Sequence, residues 1–170
     1  MKSTIFSFTT TVLAGLCAAT PVPAAAPQAD TAATPGPYHI SGFFASKAHL
    51  SSYCRFEFNV TAPSFPDVVS CSAYLDTGFS GATWLAYVYE GAGNCNSDAV
   101  TWTFWHPRGA ETDRNDAVFN VTVEGVKGRY VVPKGDIVVV LNEEGNPFDN
   151  DVYYGGPKEF DIAEFPADEE

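Results

Sequence analysis

The sequence predicts an all-β protein, a single compact antiparallel β-barrel or sandwich. Aromatic and β-branched residues recur at every second position, and Gly and Pro interrupt these runs at short intervals. After the N-terminal segment, no stretch keeps apolar residues at helical spacing for three turns. The chain has 170 residues, of which 45% are apolar, so one domain with a packed core is expected.

The chain opens with a segment typical of a secretory signal. Lys2 supplies a positive start, residues 4–19 carry no charge, and small residues cluster at 17–19 and 22–24. The alternative, a transmembrane helix, needs about 20 apolar residues, which this stretch does not reach. We therefore expect a signal peptide over 1–19, with cleavage as late as 26, and a secreted, extracellular protein.

Composition divides the remaining chain into three parts. Residues 20–37 are rich in Ala, Pro and Thr and are predicted to be a linker. The folded β domain is predicted over 38–165, and the acidic residues 166–170 are predicted to form a tail.

Alternating runs separated by breakers are predicted to be strands. In order along the chain they cover 55–60, 84–89, 100–104, 117–123, 130–132 and 137–141. A short helical turn is expected near 45–50. Because successive side chains of a strand point to opposite faces, Phe56, Phe58 and Val60 should face the core. Trp102 is also expected in the core, whereas Trp105 breaks the phase and is expected at a rim.

The cysteines predict one disulfide. Of the four, Cys17 lies inside the predicted signal. Cys71 and Cys95 are the best candidate pair because both lie at the boundaries of strand-like runs, and closing a loop of about 25 residues should stabilise the fold by about 3–4 kcal/mol. Cys54 is in phase with the core-facing residues and is expected to be a buried, inert thiol. Pairing of Cys54 with Cys71 and a bridge between chains are the alternatives.

The charge of −12 restricts the partners. A surface this acidic repels phosphate backbones and anionic lipid, so neither nucleic acid nor membrane is expected as a partner. A basic protein or a neutral small molecule stays open.

Two Asn-x-Thr sequons lie in strand-like runs, at Asn59 and Asn120. If the residues on either side of each Asn face the core, the Asn itself faces solvent. In an exported protein both are therefore candidate N-glycosylation sites.

The segment Asp76-Thr77-Gly78 is the sharpest motif that suggests catalysis. Aspartic proteases place this triplet after an apolar strand, where two such Asp share one proton. The chain holds one copy, so a protease would need a homodimer. The alternative is a turn, since Asp and Gly are favoured there, and we expect the turn.

No metal, cofactor or catalytic set is predicted. The histidines lie at unrelated spacings, at His39, His49 and His106. Asp149 and Asp151 suggest a calcium loop, but Tyr153 stands where the next acidic ligand is needed. The binding residues are not identified by the sequence.

The layout resembles the Alternaria major allergen family of secreted fungal β-barrel proteins over about 38–141. The residues that carry the resemblance are Tyr38-His39-Ile40 with Phe43, then Tyr53, Phe56, Phe58 and Val60, then Cys71-Ser72-Ala73, and Cys95 before Val100, Trp102 and Phe104. The chain departs from the family in having no Cys after Cys95. It also has no counterpart of the family's N-terminal dimer cysteine, because Cys54 lies inside a strand.

The resemblance implies a fungal extracellular allergen-like protein that acts as an elicitor or effector at the plant surface. It implies as partners a host extracellular protein, including those of the thaumatin-like class, or a small aromatic ligand, and no secure enzymatic activity. We therefore expect a binding protein without catalysis. The alternatives are a secreted enzyme (a dimeric aspartic protease using Asp76, or a carbohydrate-active hydrolase) and a structural protein of the cell wall.

Overall fold

The computed structural model describes residues 38–63, 65–108, 115–142 and 146–164. They belong to one compact unit of the chain, residues 33–170, and the other unit, residues 1–32, lies outside the described residues. The predicted signal peptide, the predicted linker and the predicted acidic tail likewise lie outside the described residues.

The described residues form ten strands and one 3-10 turn. The strands are β1 (Tyr38–Lys47), β2 (Tyr53–Ala62), β3 (Phe65–Asp76), β4 (Asn94–Cys95), β5 (Val100–Trp105), β6 (Ala117–Val123), β7 (Val126–Val132), β8 (Ile137–Leu141), β9 (Asn150–Tyr154) and β10 (Phe160–Glu164), and the 3-10 turn is Lys134–Asp136. Among these residues no helix is long and apolar enough to cross a membrane.

All strand pairs are antiparallel, and β1 is the centre of the arrangement. The hydrogen-bonded order is β4-β3-β2-β1-β10-β7-β6-β5, with β9 also paired to β1 and β8 paired to β9. The start of β1 pairs with β10 and its end pairs with β9, so β1 links two sheets. The predicted all-β antiparallel class is confirmed. In the described chain the terminal strands β4 and β5 do not pair, which favours a sandwich-like arrangement over a closed barrel.

A bulge in β1 directs the central aromatic side chain inward. The register against β2 shifts between Ser41 and Phe44, and Gly42 takes a φ of +64°, which glycine adopts without the strain of a Cβ atom. The backbone N–H of Phe43 then donates to Lys158 O at 3.0 Å. The bulge places Phe43 in the core and its neighbour Phe44 on the outer surface.

The core is a cluster of aromatic rings between the two sheets. The ring of Phe43 lies 4.9 Å from both Phe119 and Tyr154. Phe58 meets Trp102 edge to face at 5.0 Å and Phe119 at 5.1 Å. Such edge-to-face pairs add to the free energy gained from burying their apolar area.

The predicted facing of the side chains is confirmed. Buried in the core are Cys54, Phe56, Phe58, Val60 and Trp102. Trp105 is 51% exposed at the end of β5, as expected for a rim position. Cys71 and Cys95 form the predicted disulfide between β3 and β4, and Cys54 is a buried free thiol.

Two expectations about local structure were wrong. Residues 84–89 are not a strand, and their backbone pairing is the single bridge between Val88 and Phe104. The cause is that backbone N–H groups here bond to side chains: that of Leu85 lies 3.3 Å from His106 Nδ1, and that of Ala86 lies 3.3 Å from Cys54 Sγ. The expected helical turn near 45–50 is absent, because β1 continues through residue 47 and a tight turn follows.

Candidate binding face on the outer side of β1–β3

Aromatic side chains point away from the core on three adjacent strands. Phe44 of β1 and Tyr53 of β2 are each 42% exposed, and Tyr74 of β3 is 65% exposed. They reach this face because the strand alternation that buries their neighbours turns them outward. Together with Ser46, Ala48 and Arg55 they line a cleft of about 210 Å³, which we call the tyrosine cleft.

The tyrosine cleft has a flat apolar wall. The rings of Tyr53 and Tyr74 lie 5.0 Å apart and within 4° of parallel. They are diagonal neighbours, since Arg55 is directly opposite Tyr74 across the ladder. The two stacked rings, held by neighbouring strands, present a rigid apolar surface against which a planar group can pack.

The positive charge in the tyrosine cleft, that of Arg55, is paired with Glu57. The Arg55 guanidinium lies 6.0 Å from the centroid of Phe44, within the range of a cation–π contact. Arg55 Nε also donates to Glu57 Oε1 at 2.8 Å, and its Nη2 forms an ion pair with the same oxygen. The ion pair orients a planar donor group at the rim of the cleft, where it can hydrogen-bond a ligand or a partner backbone.

A second, polar cleft adjoins the first through Glu57. It has a volume of about 400 Å³ and is lined by Gly42, Glu57, Phe58, Asn59, Ser70, Cys71 and Ser72. We call it the Asn59 cleft. Its volume falls within the range of about 300–1,000 Å³ typical of ligand sites.

Asp76, the candidate protease residue, is the exposed last residue of β3, where a turn begins. Its Oδ1 accepts the backbone N–H of Gly78 at 2.7 Å. Hydrogen bonds from the Ser52 side chain and from that N–H lower the pKa of the Asp76 carboxyl. This geometry agrees with the turn interpretation, in which the Asp side chain bonds the backbone two residues later.

A buried polar cluster lies on the core side of the same sheet. Lys47 is 1% exposed, and its Nζ donates to Ser80 O at 2.7 Å. Burial lowers the pKa of Lys47 and raises the pKa of the Cys54 thiol, which pairs with it across the ladder, to about 11. Both groups are buried and bond to the segment that follows β3, Lys47 to Ser80 O and Cys54 Sγ to the backbone N–H of Ala86.

The histidines lie apart from one another. His39 Nδ1 lies 2.9 Å from Asp161 Oδ1, and His49 Nδ1 lies 3.5 Å from Asp149 Oδ1 and 3.4 Å from Asp151 Oδ1. Within the described ranges no group of three His, Cys, Asp or Glu side chains is arranged to hold a metal ion. The third, His106, is buried beside the core.

The predicted sequons occupy different sheets. Asn59 is on β2 and borders the Asn59 cleft, whereas Asn120 is on β6 between β5 and β7. Both side chains are partly exposed, as the alternation predicts.

Sequence reasoning did not identify the tyrosine cleft. A signal was present, because Tyr53 and Arg55 are out of phase with the buried Phe56 and must face outward once that phase is known. What the sequence could not show is that β3 lies beside β2 and brings Tyr74 against Tyr53.

The fold and the outer surface of β1–β3 define an antiparallel all-β domain that exposes an aromatic cleft on one sheet. Comparisons with protein-family models, with curated proteins and with solved structures found no match to the chain. The functional assignment therefore rests on the residues and geometry of this chain.

Proposed function

We propose that this chain is a secreted, effector- or elicitor-like binding protein that acts without catalysis. The tyrosine cleft is its contact surface, and a host extracellular protein or a small aromatic ligand is its partner. The observation that carries the proposal is the exposure of three aromatic side chains, Phe44, Tyr53 and Tyr74, in one cleft beside Arg55. Tyr and Arg are enriched among the residues that dominate binding energy in protein interfaces.

The composition of the cleft supports a planar or apolar contact group. Two parallel rings offer area without the loss of many rotamers, and the paired Arg55 adds donors in a fixed plane. Across the whole surface, a charge of −12 favours encounter with a basic partner. The proposed resemblance to the Alternaria allergen family points to the same class of partner.

Export is part of the proposal. The charge-free stretch at 4–19 and the Cys71–Cys95 disulfide both suit an oxidising extracellular compartment. N-terminal sequencing of protein recovered from the medium tests this part. An intact residue 1 on protein retained in the cytosol would contradict it.

Binding is tested with purified protein against plant apoplastic proteins and a panel of planar aromatic compounds. Tyr74→Ala and Tyr53→Ala should each weaken binding about tenfold or more, because interface hot spots lose roughly 1.4 kcal/mol or more on truncation. Tyr89→Ala is the matched control, since Tyr89 is exposed but lies away from the cleft. Binding that is absent at micromolar concentrations, or equally weakened by all three variants, would overturn the proposal.

Polysaccharide is a second candidate partner, favoured by the exposed tyrosine rings and the Arg55 donors of the tyrosine cleft. Sugar rings stack on aromatic faces through their apolar side and hydrogen-bond through their hydroxyls. Retention on chitin or glucan that Tyr74→Ala abolishes would select this partner. In that case the protein would be wall-associated.

A further inference from the structure

The two predicted sequons differ in how their amide groups are engaged. Asn59 Oδ1 accepts a hydrogen bond from Ser70 Oγ at 2.7 Å, and its Nδ2 donates to none of the described residues. The positions directly beside Asn59 on the adjacent strands are Ser41 and Ser70, which are both small. The atom that would carry a glycan is therefore free at Asn59.

Gly42 keeps the space beside Asn59 open. A Cβ atom at Gly42 would lie 3.7 Å from Asn59 Nδ2, so any larger side chain would extend into that space. The bulge that requires a positive φ at this position therefore also clears one wall of the Asn59 cleft. The other polar side chains of the cleft, Glu57, Ser70 and Ser72, offer hydrogen-bond partners to sugar hydroxyls.

Both polar atoms of the Asn120 amide form hydrogen bonds within the sheet. Its Nδ2 donates to Thr103 Oγ1 at 3.1 Å, and its Oδ1 accepts from Arg129 Nε at 3.3 Å. Thr103 and Arg129 are the residues directly opposite Asn120 on β5 and β7, so larger side chains flank it on both sides. A glycan here would have to displace contacts within the sheet.

We propose that Asn59 is the glycan-bearing sequon, that Asn120 is unmodified, and that the first sugar of the Asn59 glycan lies in the Asn59 cleft. The donor is an oligosaccharide on a lipid diphosphate, the class of substrate used by the secretory machinery. The C1–N bond to Asn59 Nδ2 forms, the C1–O bond to the diphosphate breaks, Nδ2 loses one proton to a base of the transferase, and the lipid diphosphate leaves. Transfer precedes final folding, so the folded structure acts afterwards, by determining which glycosylated chains fold and reach the medium. The folded structure accommodates a sugar at Asn59 without loss of the hydrogen bond from Ser70. At Asn120 a sugar on Nδ2 displaces the hydrogen bond to Thr103 and crowds the flanking Arg129.

The inference rests on the export that the proposed function includes, so the experiment separates the two. The full chain is produced in a eukaryotic secretory host in two versions, one with its own N-terminus and one with residues 1–26 replaced by a host signal. Failure of the first version alone to reach the medium counts against the proposed export. The second version tests the choice of sequon independently.

Glycopeptide mass spectrometry of the secreted protein shows which of the two sequons carries the glycan. Peptides with residue 59 should carry the glycan, and peptides with residue 120 should not. Thr61→Ala, which removes the first sequon, should abolish the glycan mass, and the matched variant Thr122→Ala should leave it unchanged. Glycan at Asn120, or loss of the glycan on Thr122→Ala, would overturn the assignment.

The position of the first sugar is tested by NMR on protein trimmed to one N-acetylglucosamine. Nuclear Overhauser contacts are expected between the acetyl methyl group and the α-protons of Gly42 and the β-protons of Ser72. A sugar that shows neither contact and has the sharp lines of a freely rotating group would disprove its placement in the cleft.

Discussion

At the residue scale, the buried pair Lys47 and Cys54 makes stability depend on alkaline pH in two opposed ways. Burial lowers the pKa of Lys47 below its ordinary 10.5, so the native state disfavours the ammonium form relative to the unfolded chain. Burial raises the pKa of Cys54 from 9.0 to about 11, so the native state disfavours the thiolate. The first effect increases stability as pH rises, and the second decreases it.

Lys47→Met should remove the increase of stability with pH that Lys47 contributes. The wild-type free energy of unfolding, relative to that of Lys47→Met, should increase as pH rises through the lowered native pKa towards 10.5, because the wild type then no longer holds a buried charge. Chemical denaturation across this pH range measures the difference. Lys134→Met, at an exposed position, is the control. A difference that falls with pH would contradict the prediction.

Cys54→Ala should remove the loss of stability at alkaline pH that Cys54 contributes. Relative to Cys54→Ala, the wild type should lose about 3 kcal/mol of stability as pH rises from 9 past 11, since each pKa unit corresponds to about 1.4 kcal/mol. The variant starts less stable, because it loses buried volume, but it should lack this alkaline loss. Equal alkaline slopes in the two proteins would show that Cys54 is not the responsible group.

At the element scale, the bulge in β1 depends on Gly42. Gly42→Ala should cost about 1–2 kcal/mol, because a Cβ atom disfavours the left-handed backbone conformation that this position requires. The nearest atom, Asn59 Nδ2, would be at the ordinary contact distance of 3.7 Å, so the cost is one of backbone strain. Thermal unfolding measures it.

Gly135→Ala is the matched control for that substitution. Gly135 has neither a positive φ nor a neighbour within 4 Å of an added Cβ, so a change within about 0.5 kcal/mol is expected. If the two variants unfold alike, the bulge does not need glycine.

Strand phase is the part of the fold that the sequence specifies well. Alternation predicted that Phe58 and Trp102 are buried and Trp105 exposed, because burial on one face imposes a period of two. It failed at residues 84–89, where β-favouring residues are present but side chains of His106 and Cys54 take the backbone N–H groups. Such tertiary contacts have no signature in the local sequence.

Local sequence patterns also did not predict the C-terminal strands β9 and β10 or the tyrosine cleft. β9 and β10 lie in a segment for which no pattern was assigned, although Val152 and Tyr154 alternate there. The tyrosine cleft needs the register between β2 and β3, and a shift of one residue would turn Tyr74 into the core. Register is set by long-range pairing, which one sequence does not display.

At the scale of the whole molecule, β8 is an edge strand of the described sheets. Within the described part of the chain it pairs only with β9, and Val139, Val140 and Leu141 are exposed. A free apolar edge strand is a template for pairing between chains. Aggregation of partly destabilised protein should therefore begin at β8.

Val140→Lys should slow that aggregation. Val140 is opposite Asp151 across the ladder, so the new ammonium group gains a favourable partner, and a lysine on an edge disfavours pairing with another chain. Light scattering during incubation near the unfolding midpoint measures the rate. Val131→Lys, at an exposed position on β7 between two strands, is the control and should have a smaller effect.

The central position of β1 also determines the order in which the protein can fold. His39 pairs with Asp161, 122 residues later in the chain. During synthesis β1 therefore stays unpaired on one side until β10 has been made, and contacts this distant in sequence form slowly. The nascent chain therefore spends a long time with its strands accessible, before β10 closes the side of β1 that β2 does not cover.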